Sequence, residues 1–102
     1  MANIYVIDHG RDVLHRIVDG IMTGNDTADW TDCDWQKALQ EEIERVGERE
    51  PGDVNAMVAY LMTCFDGDVF TTARIGMYGF ATVIADCVYA AEDLGETCEL
   101  FD

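Results

Sequence analysis

Apolar residues recur at helical spacing in four stretches of the chain. Between residues 11 and 22 they follow the i, i+1, i+4, i+5 pattern that places side chains on one face of an α-helix. Residues 34–47, 53–65 and 72–94 show the same period. We therefore predict four amphipathic helices. The positions that we expect to be buried are Val13, Leu14, Ile17, Val18, Ile21, Met22, Trp35, Ala38, Leu39, Ile43, Val46, Val54, Met57, Val58, Leu61, Met62, Phe65, Met77, Phe80, Ala81, Ile84, Cys87, Val88, Ala91 and Leu94.

Turn-forming residues separate these stretches. Residues 23–35 are dense in Thr, Asn, Asp and Gly, which favours a loop. Gly24 is a candidate end for the first helix and Gly95 for the last. Asp8 and Asp53 are candidate N-caps of the first and third helices, because an aspartate side chain accepts hydrogen bonds from the free amides of a helix start.

Two stretches carry β-forming residues and leave an alternative open. Residues 3–7 are rich in β-branched and aromatic residues, but a lone strand has nothing to pair with, so we favour an extended lead-in that packs on the helices. Residues 69–73 also fit a strand, and Gly76 and Gly79 weaken the first turns of the last helix. We predict an all-α fold, a compact four-helix bundle that forms a single domain over residues 1–102. A short N-terminal strand is left open within this bundle, and a small α+β domain is the alternative.

Charge is the most unusual property of the composition. The chain has 21 Asp and Glu against six Lys and Arg, a formal net charge of −15 and an isoelectric point near 4.1. Hydrophobic residues make up 49% of it, which excludes an acidic disordered chain, because such chains are poor in apolar residues. So few basic residues also exclude direct binding to a nucleic-acid backbone. Because salt screens repulsion between carboxylates, we expect the fold to gain stability at moderate ionic strength.

The sequence does not predict export or insertion into a membrane. The first twelve residues place acids close behind a short apolar run, unlike a secretory leader. The longest uncharged stretch of the second half, residues 75–85, is too short to span a bilayer. An acidic surface is also repelled by anionic lipid. We expect a soluble protein of the cytoplasm that does not bind membranes.

The cysteine and histidine pattern indicates neither a disulfide framework nor a zinc site. The four cysteines are irregularly spaced without a CxxC pair, so we predict buried, reduced thiols. His9 and His15 lack the close His or Cys neighbours that zinc needs. We interpret one histidine as a helix cap (His9) and the other as a surface residue (His15), with a catalytic Cys–His pair as the less favoured alternative. The cysteines are Cys33, Cys64, Cys87 and Cys98.

Carboxylates are so frequent that single acidic motifs arise by chance. Residues 66–68 (DGD) resemble the start of a calcium loop, but glycine is missing at the sixth position and glutamate at the twelfth. Asp29, Asp32 and Asp34 can gather a divalent ion only weakly, as many acidic loops do. The sequence shows no cleft signature that would separate carboxylate pKa values and no phosphate-binding glycine loop. We predict no catalytic residues, no metal site and no cofactor, and a small carboxylate enzyme is the least favoured class.

The second predicted helix presents acids away from its apolar face. Four of them fall within one quadrant opposite the apolar side chains. Lys37 and Arg45 border that quadrant, so Lys37–Glu41 and Glu41–Arg45 ion pairs can form at i, i+4. The four acids are Asp34, Glu41, Glu44 and Glu48. Acids that lack basic neighbours in the sequence are Asp29, Asp32, Asp66, Asp68, Glu92, Asp93, Glu96, Glu99 and Asp102.

Two sets of aromatic residues accompany the acids. Trp30 and Trp35 lie in the segment DWTDCDW, and tryptophan and tyrosine are favoured at interface hot spots. A second stripe runs along the last helix, opposite its main apolar face. The alternative is that both tryptophans pack the loop onto the core and that the tyrosines line the boundary of a central helix. The second stripe consists of Tyr78, Thr82, Asp86, Tyr89 and Asp93.

Acids on a helix can imitate a nucleic acid. Carboxylates one turn apart are about 6 Å from each other, a spacing similar to that of phosphates along one strand. A rigid acidic helix can therefore occupy a cationic groove built for DNA or RNA, with a steep salt dependence because counterions are released. The residues that we predict to bind such a partner are Asp29, Trp30, Asp32, Asp34, Glu41, Glu44, Glu48, Asp66, Asp68, Tyr78, Asp86, Tyr89 and Asp93.

In its length, single domain, charge and the acidic stretches DWTDCDW and ELFD, the chain resembles the small anti-CRISPR and anti-restriction proteins of phages and mobile elements. Many of those proteins are nucleic-acid mimics. The resemblance implies a stoichiometric, non-enzymatic inhibitor of a basic nucleic-acid-binding protein, such as a CRISPR effector or a restriction enzyme, in a bacterial or archaeal cytoplasm. The alternative is a salt-adapted cytoplasmic protein whose acidity serves solubility. The oligomeric state is left open.

Overall fold

The computed structural model describes residues 4–64 and 77–93, and these are almost entirely helical. Helix α1 spans Ile4–Gly24, α2 Asp32–Arg49, α3 Pro51–Cys64 and α4 Met77–Asp93. No strand occurs within these two ranges, and the predicted all-α bundle is confirmed. The candidate strand at residues 69–73 and the candidate helix end at Gly95 lie outside the described residues.

The N-terminal segment departs from the sequence expectation. Residues 4–7 form the first turn of α1 rather than a strand or an extended lead-in, so Asp8 lies inside the helix and is not its N-cap. Ile7 is half-buried and packs against the core. Ile7 lies about two helical turns before Leu14, on the buried side of α1, and this packing overrides the weak helix propensity of β-branched residues.

Helix boundaries follow the local capping chemistry. Gly24 ends α1 as predicted. Helix α2 begins earlier than predicted because Thr31 is its N-cap. Helix α3 begins at Pro51, a residue suited to a first helical position because its missing N–H has no partner there in any case. The prediction of Asp53 as an N-cap is therefore wrong, and Asp53 lies in the first turn of α3.

One continuous core joins all four helices. Its fully enclosed side chains come from α1, α2, α3 and α4, with Trp35 the largest of them. Helix α1 packs chiefly on α3, and α4 packs chiefly on α2. Within the described ranges, no helix is long and apolar enough to cross a membrane. The largest fully buried side chains are Trp35, Leu14, Leu39, Ile43, Met57, Leu61, Ile84 and Val13.

Some positions expected to be buried are not. Met22 and Met62 are 41% and 40% exposed, and Ala91 is exposed as well. These residues lie at the flanks of their apolar stripes, which are wider than the faces that the neighbouring helices cover. The side chains that are buried among the described residues in addition to the predicted ones are Thr27, Ala56, Tyr60 and Ala85.

Helices α1 and α3 cross at backbone contact. Gly10 is buried there, and a Cβ atom at this position would overlap the carbonyl oxygen of Ala56. Beside the crossing, His9 Nε2 is 2.8 Å from Asp53 Oδ1, and Arg16 Nη2 is 3.8 Å from Asp53 Oδ2. His9 is therefore not a helix cap, as the sequence suggested, but a link between two helices.

Candidate partner-binding surface

The acidic segment that leads into α2 is held in place by its own hydrogen bonds. The Asn25 side-chain amide donates to the carbonyl oxygen of Ile21 at 2.9 Å and closes the end of α1. The backbone N–H of Trp30 donates to the carbonyl oxygen of Thr27 at 3.1 Å. Thr27 is buried, whereas Asp29 is exposed. The loop therefore presents Asp29 from a fixed turn.

A capping box starts α2. Asp34 Oδ2 accepts hydrogen bonds from the Thr31 backbone N–H at 2.9 Å and from Thr31 Oγ1 at 3.1 Å. Thr31 Oγ1 in turn accepts from the Asp34 N–H at 3.3 Å. The positive end of the helix dipole also favours Asp32 and Asp34 in the first turn. Asp34 thus stabilises the helix itself, which accounts for its carboxylate independently of any partner.

The two tryptophans of DWTDCDW have different roles. Trp35 is completely buried in the core. Trp30 is half-buried and meets Trp35 edge to face, with ring centroids 5.0 Å apart and an angle of 75° between the rings. Trp35 is therefore a core residue and not an interface anchor, whereas Trp30 keeps part of its ring at the surface.

The structure brings together two acids that are far apart in the sequence, Asp32 of α2 and Asp86 of α4. Asp32 is half-buried, and its Oδ1 is enclosed without a hydrogen-bond donor among the described residues. The neighbouring carboxyl of Asp86 can donate to Asp32 only when it is protonated. Burial is the largest of the causes that raise the pKa of Asp86. The hydrogen bond to Asp32 and the negative charge of Asp32 raise this pKa further. The residue Asp86 as a whole remains exposed.

This carboxyl pair gives a testable pH dependence. Because the pKa of Asp86 is higher in the folded than in the unfolded chain, its contribution to stability is complete below the ordinary aspartate pKa and is lost as pH rises through the raised value. Asp86→Asn supplies an amide donor to Asp32 at every pH. We expect this variant to be more stable than the wild type at pH 7.5, by less than about 1 kcal/mol because the pair lies near solvent, and to lose that advantage at pH 4.

Urea denaturation at the two pH values measures the effect. Asp19→Asn is the matched control, since it removes one exposed carboxylate from α1. An equal gain for both variants, or a gain for Asp86→Asn that does not change with pH, would contradict a proton-dependent contact between Asp32 and Asp86.

The outer face of α2 is acidic, as the sequence predicts. Glu41, Glu44 and Glu48 are all exposed there. Neither of the predicted i, i+4 ion pairs forms. Arg45 pairs with Glu42 instead of Glu41, and Lys37 has no ion pair with any described residue. Glu41 and Glu48 have no ion pair with any described residue. Fewer carboxylates on the outer face of α2 are neutralised by ion pairs than the i, i+4 spacing suggests.

The remaining residues that were predicted to bind a partner lie on α4 or outside the described residues. Tyr89 is half-buried on α4. Tyr78 and Asp93 belong to α4 by their backbone. Asp66 and Asp68 lie outside the described residues.

Of the cysteines, Cys33 is exposed rather than buried, because it occupies the first turn of α2 on the side away from the core. Cys64 and Cys87 are half-buried, and these three form no disulfide.

The cavities between the helices of residues 4–64 include three of appreciable volume. The α1–α2 groove, about 560 Å³, runs past Trp30 and includes Lys37 and Arg45 in its lining. The α2–α3 groove, about 460 Å³, is lined by Glu44, Gly47, Glu48, Pro51, Val54 and Asn55. A three-helix pocket of about 320 Å³ includes Arg16 and Arg49. Across the two described ranges, His, Cys, Asp and Glu residues do not gather in groups of three or more that could hold a metal ion.

Comparison of the chain with protein-family models, curated proteins and solved structures finds no match. The chemistry that the surface offers follows from its own residues. It provides carboxylates on a rigid helix and at one helix start, a partly exposed indole ring, and a pair of carboxyls in contact. Such a surface can accept hydrogen bonds from ammonium and guanidinium groups.

Proposed function

We propose that this protein is a stoichiometric inhibitor that binds a cationic nucleic-acid-binding protein and occupies the surface where that protein holds DNA or RNA. The binding face, which we call the acidic surface, combines the loop before α2, the start and outer side of α2, and Asp86 on α4. Its residues are Asp29, Trp30, Asp32, Asp34, Glu41, Glu44, Glu48 and Asp86.

The contact between Asp32 and Asp86 is the observation that carries this proposal. Two carboxyls from different helices meet, and Asp32 Oδ1 has no donor among the described residues. Within a fold, like charges in contact lower stability, and helix α4 contains no Lys or Arg to relieve them. Local features that cost stability are concentrated at functional sites. A basic side chain of a partner that contacts the exposed residue Asp86 would supply a positive charge beside this pair.

The scaffold also suits imitation of a polyanion. Glu41, Glu44 and Glu48 are exposed on one helix, each about one turn from the next, and residues one turn apart have Cβ atoms about 5–6 Å from each other. The capping box and the core contact of Trp35 fix the start of this helix. A rigid row of acids loses little conformational entropy on binding, and association releases the counterions of the basic partner.

A CRISPR effector or a restriction enzyme is the partner class that the resemblance to anti-CRISPR and anti-restriction proteins favours. The inhibitor would then act in the cytoplasm of a bacterial or archaeal host, bind by contact rather than by catalysis, and contact neither nucleic acid nor membrane. Affinity should fall steeply with salt, because the interaction depends on charge.

A competition experiment tests the proposal. The immobilised protein is incubated with a nuclease-treated bacterial lysate, and each captured basic protein is purified and loaded with a fluorescent duplex or guide RNA. We expect the protein to displace the nucleic acid at a one-to-one ratio, and to do so less well as NaCl is raised. If basic nucleic-acid-binding proteins are captured but keep their nucleic acid, or if none is captured, the proposed function is wrong.

The salt-adapted alternative predicts different behaviour. A halophilic protein unfolds on dialysis into low salt and captures no basic partner. Circular dichroism before and after dialysis therefore separates the alternative from the proposal, which requires a folded protein at the low ionic strength where binding is strongest.

A further inference from the structure

The α2–α3 groove is a preformed cavity beside the acidic surface. The turn between its two helices is closed by hydrogen bonds from the Glu50 N–H to the Val46 carbonyl at 2.7 Å and from the Asp53 N–H to the Glu50 carbonyl at 3.0 Å. Val54, in the groove lining, also packs against the core. Both walls are therefore fixed before any partner arrives.

The lining of this groove combines apolar surface with carboxylates. Pro51 and Val54 contribute aliphatic surface on the α3 side. Glu44 and Glu48 lie one turn apart on α2, at the spacing where like charges destabilise a helix. Asn55 is exposed on the groove edge. An aliphatic stem with a cationic head matches this combination.

The other two cavities have basic residues in their linings. The α1–α2 groove includes Lys37 and Arg45, and the three-helix pocket includes Arg16 and Arg49. Among the described residues that line the α2–α3 groove there is no basic residue, and residues 50–64 contain none in their sequence. Of the three cavities, the α2–α3 groove is thus the one whose charge complements a cation.

We propose that the α2–α3 groove binds an arginine side chain of the cationic partner, an inference that rests on the proposed function. The methylene stem lies against Pro51 and Val54, and the guanidinium group donates hydrogen bonds to the carboxylates of Glu44 and Glu48. Arginine suits the site better than lysine, because its planar fork can contact two carboxylates at once.

A labelled peptide of alternating arginine and alanine, titrated by fluorescence anisotropy, tests the groove directly. Asn55→Trp fills the groove edge without a change of charge, and Glu44→Gln with Glu48→Gln removes both carboxylates. Asp8→Asn with Asp12→Asn is the matched control, since it removes two exposed charges from α1. Circular dichroism and urea denaturation check that each variant is folded.

We expect both groove variants to bind the peptide at least about tenfold more weakly, a loss of roughly 1.4 kcal/mol, and the α1 control to lose less than about half of that free energy. Wild-type affinity for Asn55→Trp would overturn the inference, because a blocked groove could then not be the binding site. Equal weakening by the α1 control would also overturn it, since the attraction would then be general.

The same variants separate this inference from the proposed function. If a captured basic protein binds Asn55→Trp as tightly as the wild type, the groove inference is wrong and the proposed function stands. If the wild type captures no basic nucleic-acid-binding protein, the proposed function is wrong, and the peptide titration still decides whether the groove binds arginine.

Discussion

Gly10→Ala should destabilise the protein by about 3 kcal/mol, the upper range for overpacking of a tight contact. Gly10 is buried where α1 crosses α3, and an added methyl group would overlap the carbonyl oxygen of Ala56. The obstacle is backbone rather than a flexible side chain, so the two helices must move apart. That separation would also lengthen the contact between His9 and Asp53. Urea denaturation followed by circular dichroism measures the loss.

Gly20→Ala is the matched control on the same helix. An added Cβ at Gly20 meets nothing within 4 Å. Because alanine favours a helix over glycine by about 1 kcal/mol, this variant should be more stable than the wild type. We expect Gly10→Ala to lower the free energy of unfolding and Gly20→Ala to raise it. A destabilisation of less than about 1 kcal/mol for Gly10→Ala would mean that α1 and α3 do not cross at backbone contact.

Trp35→Ala should cost about 3–5 kcal/mol, the usual range for removing a large aromatic side chain from a core. Trp35 is completely enclosed and packs among the residues that join α2 to the other helices. For a domain of this size, whose total stability is typically about 5–15 kcal/mol, the loss approaches unfolding. Thermal and urea denaturation of the variant measure it.

Trp30→Ala is the matched comparison for Trp35→Ala. Trp30 is half-buried and contacts Trp35 edge to face. Its removal should cost about 1–2 kcal/mol, from one aromatic pair and partial burial. Equal losses from the two substitutions would show that Trp30 is also a core residue, with no part of its ring available to a partner.

The helices could be predicted from the sequence because their apolar period is regular. Helices α1 and α2 have a strong contrast between apolar and polar faces, and their buried residues were mostly predicted correctly. Helix α3 is apolar on most sides, so the period alone did not distinguish the buried Tyr60 from the exposed Met62. The first turn of α1 was missed because local propensity at residues 4–7 is outweighed by the packing of Ile7.

The acidic surface could be predicted only in part, because the helical period gives the exposure of a residue but not its partners. Exposure of Glu41, Glu44 and Glu48 follows from their helical register. The choice of Glu42 by Arg45 does not, since both i+3 and i+4 partners are within reach. The contact between Asp32 and Asp86 depends on how α4 packs on α2, which no local pattern specifies.

The most direct test of the acidic surface compares two triple variants that change the net charge equally. Asp29→Asn, Asp32→Asn and Asp86→Asn together neutralise the end of the surface where α2 meets α4, whereas Asp8→Asn, Asp12→Asn and Asp19→Asn neutralise exposed positions on α1. Affinity for a captured basic nucleic-acid-binding protein is measured by calorimetry at one ionic strength. We expect a loss of about 100-fold, or 2.7 kcal/mol, for the first triple variant and of about threefold or less for the second. Equal losses would show that binding follows net charge and not this surface.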